Sequence, residues 1–288
     1  MFTVVIPVYN HAEYVIEAVN SALVSPLVTE VLVCDDGSQD ASAEILEVLA
    51  RSDPRVRNLT DNPPANVGAH HRLNQLCRAA SNEYLAVLNS DDRFVAGRFE
   101  ICKQLFRLHD VDLICGHLLI VSGDGTVFGT KRGVFQPEYP YPGDLDLEER
   151  LAAQDVLTLL ASQNFVATTS NMVFTERLFT AVGGFGDYRY AHDYDFILRA
   201  AVMGKVHYTP QYLTTYRVHR TNTISEAGSA GRVAAELRLI FQRLLRDFPH
   251  LEGRERFIEV MRARPESHAF ELVGSGAVGR VGMGVGST

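Results

Sequence analysis

Asn89-Ser90-Asp91-Asp92 closes an apolar run, Tyr84-Leu85-Ala86-Val87-Leu88, with two acids side by side. Adjacent carboxylates at the end of a buried strand suit a divalent metal that also holds phosphates. Mg²⁺ and Mn²⁺ take hard oxygen ligands and commonly combine one or two carboxylates with substrate phosphate oxygens. Such an ion would neutralise a departing diphosphate. The alternative is that Asp91 or Asp92 caps a helix starting near Ala96, and spacing alone leaves the two readings level. A second pair, in Asp35-Asp36-Gly37-Ser38, ends another apolar run, where Ser38 or Asp40 is placed to cap the next helix. Asp193 and Asp195 open a helical pattern, and His219 follows a β-like stretch. Two residues apart on a helix, Asp193 and Asp195 cannot share a face, so one reaches a cleft and the other stabilises the helix start.

Elements must carry these groups to one place. Phe2–Val8 and the runs 31–34 and 84–88 are short, apolar and bounded by polar residues, which predicts buried parallel strands. Between them, Tyr14, Val15, Ala18, Val19, Ala22 and Leu23 recur at helical spacing, as do Ile45, Val48 and Leu49, then Leu73, Leu76, Cys77 and Ala80. The order β-α-β-α-α-β predicts an α/β class protein, with an open, mostly parallel sheet and helices on both faces. Ligands then bind beyond the carboxyl ends of the strands, which puts Tyr9, Asn10, Asp35, Asp36 and residues 89–92 along one rim. Farther on, the pattern predicts a helix over 97–109, strands at 111–115, 118–121 and 126–129, and a loop over 133–147. It continues with a strand at 166–174, a helix over 193–203, β structure over 206–218 and a helix from Val233 to Leu245.

Composition narrows the partners. The net charge of −8 has the wrong sign for wrapping a nucleic-acid backbone, so no nucleic acid is expected. No stretch approaches the roughly 20 apolar residues that span a bilayer, and no secretory pattern opens the chain, which predicts a cytoplasmic protein. Cys34, Cys77, Cys102 and Cys115 stand singly without CxxC spacing and read as reduced core thiols. Arg232, Arg238, Arg243 and Arg246 flank the apolar stripe of the last helix. That stripe predicts packing on the rest of the chain or on a second subunit, a homodimer, ahead of a peripheral contact with the inner face of a membrane.

An ordered set of motifs resembles the family 2 glycosyltransferases of the GT-A fold. It runs from Phe2-Thr3-Val4-Val5-Ile6-Pro7-Val8-Tyr9-Asn10 through Val33-Cys34-Asp35-Asp36-Gly37-Ser38, Asn66-Val67-Gly68 with Asn74, and Leu88-Asn89-Ser90-Asp91-Asp92. It continues through Gly183-Gly184-Phe185, His192-Asp193-Tyr194-Asp195-Phe196-Ile197-Leu198-Arg199 and Tyr216-Arg217-Val218-His219. The resemblance implies a GT-A, Rossmann-like sheet with a C-terminal helical extension, and an inverting transfer of a sugar from a nucleoside diphosphate to a hydroxyl acceptor on a glycan, glycolipid or small molecule. It places Pro7, Tyr9, Asp35, Asp36, Asn66 and Asp91 at the donor nucleotide, with Asp36 reading the base. Mn²⁺ or Mg²⁺ falls to Asp92 and His219, Asp193 becomes the general base, and Asn171 and His192 line the acceptor side. A UDP-sugar is the first expectation for the donor, ahead of dTDP- or GDP-sugars. The chain departs from the pattern at Asn89, where many relatives carry Asp, and at His192, where Glu is common; Arg is often found where Leu73 stands.

The same resemblance divides residues 1–225 into a nucleotide-sugar half, 1–110, and an acceptor and catalytic half, 111–225; helical periodicity and composition add a helical extension, 226–272, and a Gly-rich tail, 273–288. Within the tail, Gly274-Ser275-Gly276-Ala277-Val278-Gly279 matches a dinucleotide fingerprint but lacks the helix and strand that would follow it. The rival readings are a sugar nucleotidyltransferase, which needs a basic Gly-rich loop that Pro7-Val8-Tyr9-Asn10-His11 is not, and a catalytically silent sugar-nucleotide-binding subunit.

Overall fold

The apolar run Phe2–Val8 forms β1, buried along its length except at Pro7, as a central parallel strand should be. The structure is a computed structural model that describes residues 1–62, 65–131, 156–162, 164–219 and 229–251, with 254, 255, 257 and 258. β1 pairs in parallel with β2 (Val28–Asp35) on one side and β4 (Tyr84–Val87) on the other. β3 (Val56–Asn58) extends the parallel half beyond β2. On the far side lie β8 (Val173–Thr175), β6 (Leu113–Ser122), β9 (Val206–Val218) and β5 (Arg93–Phe94), in that order. β7 (Val127–Lys131) pairs antiparallel with β6. β8 runs antiparallel to β4 and β6, while β6 and β9 run parallel, so a mixed sheet grows from a parallel half.

Alternation along β1 feeds two cores. Phe2, Val4, Ile6 and Val8 face α1 (Val15–Leu23), α2 (Ser42–Ser52) and α4 (Arg98–Leu108), through Val15, Val19, Leu46 and Phe99. Val5 faces the other way, toward Leu73 and Leu76 of α3 (Ala69–Ala79). That second core continues through α5 (Val156–Ser162), α6 (Glu176–Val182), α7 (His192–Met203) and α8 (Ser229–Asp247). Burial of each large aliphatic or aromatic side chain contributes about 1.5–3 kcal/mol, so both faces hold the sheet. The apolar stripe of α8 is spent here: Ile240, Phe241, Leu244 and Leu245 are buried, and Phe241 meets Tyr194 of α7 edge-on at 5.9 Å.

Several sequence expectations change. The first 90 residues read β-α-β-α-β-α-β, because the three-residue β3 is too short to raise a hydrophobic pattern. The strands expected at 111–115 and 118–121 are one strand. Gly116 and His117 are where the register with β9 shifts; a Cβ on Gly116 would sit 2.6 Å from the Gln211 carbonyl oxygen. The strand expected over 166–174 shrinks to β8. Ahead of it, Ala167 adopts a left-handed φ of 70° and Thr169–Asn171 form a 3₁₀ turn, stabilised where Thr168 Oγ1 accepts from the Ser170 amide. The loop at 133–147, the tail at 273–288 with its glycine motif, and parts of the 226–272 extension lie outside the described residues.

Candidate active site

The parallel register sets Val8 beside Asp35 and Val5 beside Val87, so β1, β2 and β4 end on one rim and deliver the acid pairs there. Neither Asp91 nor Asp92 caps α4, which starts six residues later at Arg98, after β5. Asp40, in contrast, accepts from the Ser42 amide at the start of α2 and from the Ala12 amide across the rim.

The two rim acids at β4 differ in kind. Asp92 turns inward: Oδ1 accepts from the Arg217 amide at 2.9 Å, and Oδ2 accepts from Ser170 Oγ at 2.6 Å and from Thr168 Oγ1 at 3.4 Å. Asp91 turns toward His219, whose Nε2 lies 2.9 Å from Oδ2. His11, three residues beyond the end of β1, joins them; one ligand atom from each of His11, Asp91 and His219 lies within 4.8 Å of the other two. The expected pairing of Asp92 with His219 is therefore replaced by Asp91 with His219, because the partners of Asp92 come from the 168–170 turn and β9 instead.

Burial, then the charge of Asp91, raises the Asp92 carboxyl well above the usual carboxylate range. Burial also pushes Asp91 upward, but the His219 hydrogen bond and the charges of His11 and His219 outweigh it and hold Asp91 below that range. Two adjacent buried carboxylates do not both ionise readily, and the partners of each push Asp91 toward the charged form and Asp92 toward the neutral one. Burial lowers the His11 pKa despite Asp91, which favours the neutral imidazole that ligates metal. Two imidazoles and a carboxylate make a donor set that fits Mn²⁺ as well as softer divalent ions.

Asn89 is not a ligand in this arrangement. Its side-chain NH₂ donates to Thr168 Oγ1 at 2.9 Å and its carbonyl oxygen accepts from Thr169 Oγ1 at 2.8 Å. A carboxylate could not make the first of these bonds, which accounts locally for Asn in place of Asp. Arg217 is a buried clamp: Nε donates to the Asp91 carbonyl at 2.8 Å, Nη1 to the Gly123 carbonyl at 2.7 Å, and Nη2 to Glu17.

At the second pair, Asp35 Oδ2 accepts from the Gly37 and Ser38 amides, while Oδ1 is buried without a hydrogen bond. Asp36, expected to read the base, is already occupied. Its oxygens accept from the Val67 amide at 2.8 Å, the Gly68 amide at 2.9 Å and Arg72 Nε at 2.9 Å. Asp36 and Arg72 thus hold the Asn66-Val67-Gly68 loop, Arg72 also donating to the Ala65 carbonyl. Tyr9 stands 45% exposed on the rim and Pro7 is half-buried below it.

Asp193 lies in the first turn of α7, half-buried, and Oδ2 accepts from Asn164 Nδ2 at 3.1 Å. Asp195 points away, bonded to Arg199 Nε at 3.0 Å. Arg199 also donates to the Gly184 carbonyl at 2.9 Å, so this pair braces the Gly183-Gly184-Phe185 turn. Asn74 braces the same turn from α3, donating to the Phe185 carbonyl and accepting from the Phe185 amide, both at 2.8 Å; a Cβ on Gly184 would lie 2.4 Å from Asn74 Oδ1. Tyr216 connects the two acid centres. Burial first, then the charges of Asp92, Asp91 and Asp193, raise its phenol pKa, so both acid centres act on this phenol. Asn171 is fully buried, with its NH₂ on the Gly116 and Val166 carbonyls and its oxygen on the Gly116 amide, so it shapes the turn beneath Asp92 instead of lining a cleft. His192 is half-buried and its Nδ1 has no hydrogen bond.

The sequence profile of the family described as Glycosyl transferase family 2 matches residues 3–173, more than half of the chain. The chain belongs to glycosyl transferase family 2. Among curated family relatives, the chondroitin synthase of Pasteurella multocida strain Pm70 and the hyaluronan synthase of Pasteurella multocida are each 28% identical over 227 residues. Those alignments cover 77% of this chain and 21% of either synthase, so the chain spans about a fifth of their length. Of solved structures, TarS 1–349 of S. aureus in complex with UDP-GlcNAc superposes with a TM-score of 0.67 at 16% identity, covering 97% of this chain and 76% of that one. The mannosyltransferase PcManGT from Pyrobaculum calidifontis, in complex with GDP-Man and Mn²⁺, gives 0.60 at 18%, covering 97% and 76%. These likenesses establish the GT-A fold for this family 2 chain.

Two residues of this family 2 site escaped sequence reading. His11 was visible only as a histidine after the first strand, and nothing in its spacing tied it to Asp91 or His219. Glu236 of α8 accepts from the amides of Arg189, Tyr190 and Ala191 at 2.8, 2.9 and 2.9 Å, immediately before the helix that carries Asp193. No local pattern signals such a contact. Among the described residues no helix is long and apolar enough to cross a membrane.

Proposed function

We propose that the chain is an inverting, metal-assisted glycosyltransferase that moves a sugar from a nucleoside-diphosphate sugar, a UDP-sugar first, to a hydroxyl acceptor. The observation that carries this reading is the cluster of Asp91, His11 and His219 at the rim of the parallel strands. Structures of the same fold in complex with UDP-GlcNAc and with GDP-Man and Mn²⁺ support the donor class and the metal. Bound at Asp91, His11 and His219, whose two imidazoles suit Mn²⁺ better than Mg²⁺, the ion would supply charge neutralisation of the diphosphate.

The chain's own residues do the rest. Asp35, with an oxygen free of hydrogen bonds, accepts the imide N–H of the base, while Asp36 and Arg72 keep the Asn66 loop closed over the nucleoside; Pro7 and Tyr9 flank it. Asp193 takes the proton of the acceptor hydroxyl as that oxygen bonds to the anomeric carbon. The anomeric bond to the diphosphate breaks with its electron pair on the leaving oxygen, and attack from the opposite face inverts the centre. Asn164 orients the Asp193 carboxylate for this. Residues 1–110 serve the donor, 111–225 the acceptor, and α8 in the 226–272 extension braces the base helix.

The test is calorimetric titration with UDP, GDP, dTDP and CDP, each with Mn²⁺ and with EDTA, followed by NMR of the anomeric linkage in any product. Metal-dependent binding of one nucleotide and an inverted product are expected. Binding indifferent to EDTA, or a retained configuration, would overturn the reading.

A further inference from the structure

Two histidines that neither the donor site nor the base uses, His70 and His71, open α3 directly after the Gly68 turn. Their ring centroids lie 4.2 Å apart. His70 is 8% exposed, and its Nε2 makes no hydrogen bond although Asp187 Oδ1 is 2.9 Å away. Paired with the Asp187 carboxylate but out of hydrogen-bond alignment with it, this buried ring nitrogen is only partly satisfied. Asp187 and His71 are both exposed, so the group opens to solvent on one side. One ligand atom from each of His70, His71 and Asp187 lies within 4.8 Å of the other two.

Two imidazoles and one carboxylate suit Zn²⁺ and similar transition ions, which take nitrogen readily and leave a fourth position for water. Mg²⁺ and Ca²⁺ prefer all-oxygen shells and fit poorly. Ligation requires neutral imidazole. Burial lowers the His70 pKa, His71 and His192 add to that, and Asp187 opposes it. The start of a helix disfavours an imidazolium as well; it equally disfavours a metal ion, and the Asp187 carboxylate offsets that.

We propose that His70, His71 and Asp187 form a second divalent-cation site, for an ion of the Zn²⁺ class, separate from the Asp91 cluster. The ion clips the segment after the Gly183-Gly184-Phe185 turn to the start of α3. That position matters because α3 begins at the loop held by Asp36, and Asp187 precedes the base helix by five residues. The clip therefore ties the donor loop to the strand of chain that delivers Asp193. An ion pair between His70 and Asp187 alone would leave the Nε2 without hydrogen-bond geometry and give His71 no role.

The experiment is metal-free full-length chain dialysed against Zn²⁺, with bound metal counted by mass spectrometry and the sites followed by Co²⁺ absorption. Wild type is expected to hold two ions per chain. His71→Gln and Asp187→Asn, both at exposed positions, are each expected to hold one, and Asp91→Asn is expected to hold one while keeping the His70 site. If wild type holds a single ion that Asp91→Asn leaves in place and His71→Gln removes, this site stands and the Asp91 site fails. If His71→Gln and Asp187→Asn bind as many ions as wild type with unchanged affinity, the proposal is overturned.

Discussion

His219 Nε2 lies 2.9 Å from Asp91 Oδ2, joining the end of β9 to the end of β4 across 128 residues of chain. His11, three residues beyond the end of β1, completes the group, so the proposed metal site draws on three strand ends rather than on one motif. Asp91→Asn is expected to weaken Mn²⁺-dependent nucleotide binding at least about tenfold, or about 1.4 kcal/mol. His219→Gln and His11→Gln should each give a smaller loss, and EDTA should abolish the difference between variants. Calorimetry with and without Mn²⁺ checks this; an Asp91→Asn protein with wild-type affinity would remove Asp91 as ligand.

Asp193 has one oxygen on Asn164 and stands half-exposed at the start of α7. Replacing it by Asn keeps the shape and removes the proposed base. Asp193→Asn is expected to lower kcat by about 100- to 10,000-fold with nucleotide affinity unchanged. Turnover near wild type would rule out Asp193.

Glu236 collects three consecutive backbone amides just before α7. Glu236→Ala strands those donors, at a cost of about 1.5–3 kcal/mol in local stability. The expected readout is faster hydrogen exchange at the amides of 189–191 together with a lower kcat and an unchanged nucleotide Kd. Exchange rates equal to wild type would show that α8 does not support the base helix.

Glu30 gathers Thr3 Oγ1, Arg57 Nη1 and the amide and hydroxyl of Ser81 at 2.6–3.0 Å, linking β1, β2, β3 and the turn before β4. Burial raises its pKa, but the bonds from Thr3, Ser81 and Arg57 outweigh it and leave it below the ordinary 4.5. A depressed carboxylate contributes stability that is present above 4.5 and lost as pH falls through its folded value. Thermal melts should thus fall in that acid window for wild type and fall less steeply for Glu30→Gln, which is less stable at neutral pH. Equal acid slopes for the two proteins would count against this linkage.

All four cysteines are free and buried. Burial pushes the Cys34 and Cys102 thiols up to about 11 and Cys77 and Cys115 further, so thiolate is scarce at neutral pH. Native protein is expected to leave Ellman's reagent almost unreacted, with all four thiols released in guanidinium. Rapid labelling of the native chain would contradict the buried assignment.

Local residue patterns settled a good deal by themselves. The runs that became β1, β2 and β4, the helical spacings between them and the acids at their ends are short-range features, and parallel order alone brings such ends to one rim. The ordered motifs likewise pointed to family 2. Tertiary structure decided which acid does what. Asp91 and Asp92 are neighbours with the same side chain, and only the 168–170 turn and the Arg217 amide turn one inward while His219 and His11 draw the other out. Asp36 and Asp35 divide in the same way, through Arg72 and the amides of Val67 and Gly68. Asn171, His11 and Glu236 take their positions from contacts made across tens to more than a hundred residues of sequence. Hydrogen bonds and charges act over a few ångströms of space, while periodicity reports only on neighbours along the chain, so the rim is written locally and the roles on it are not.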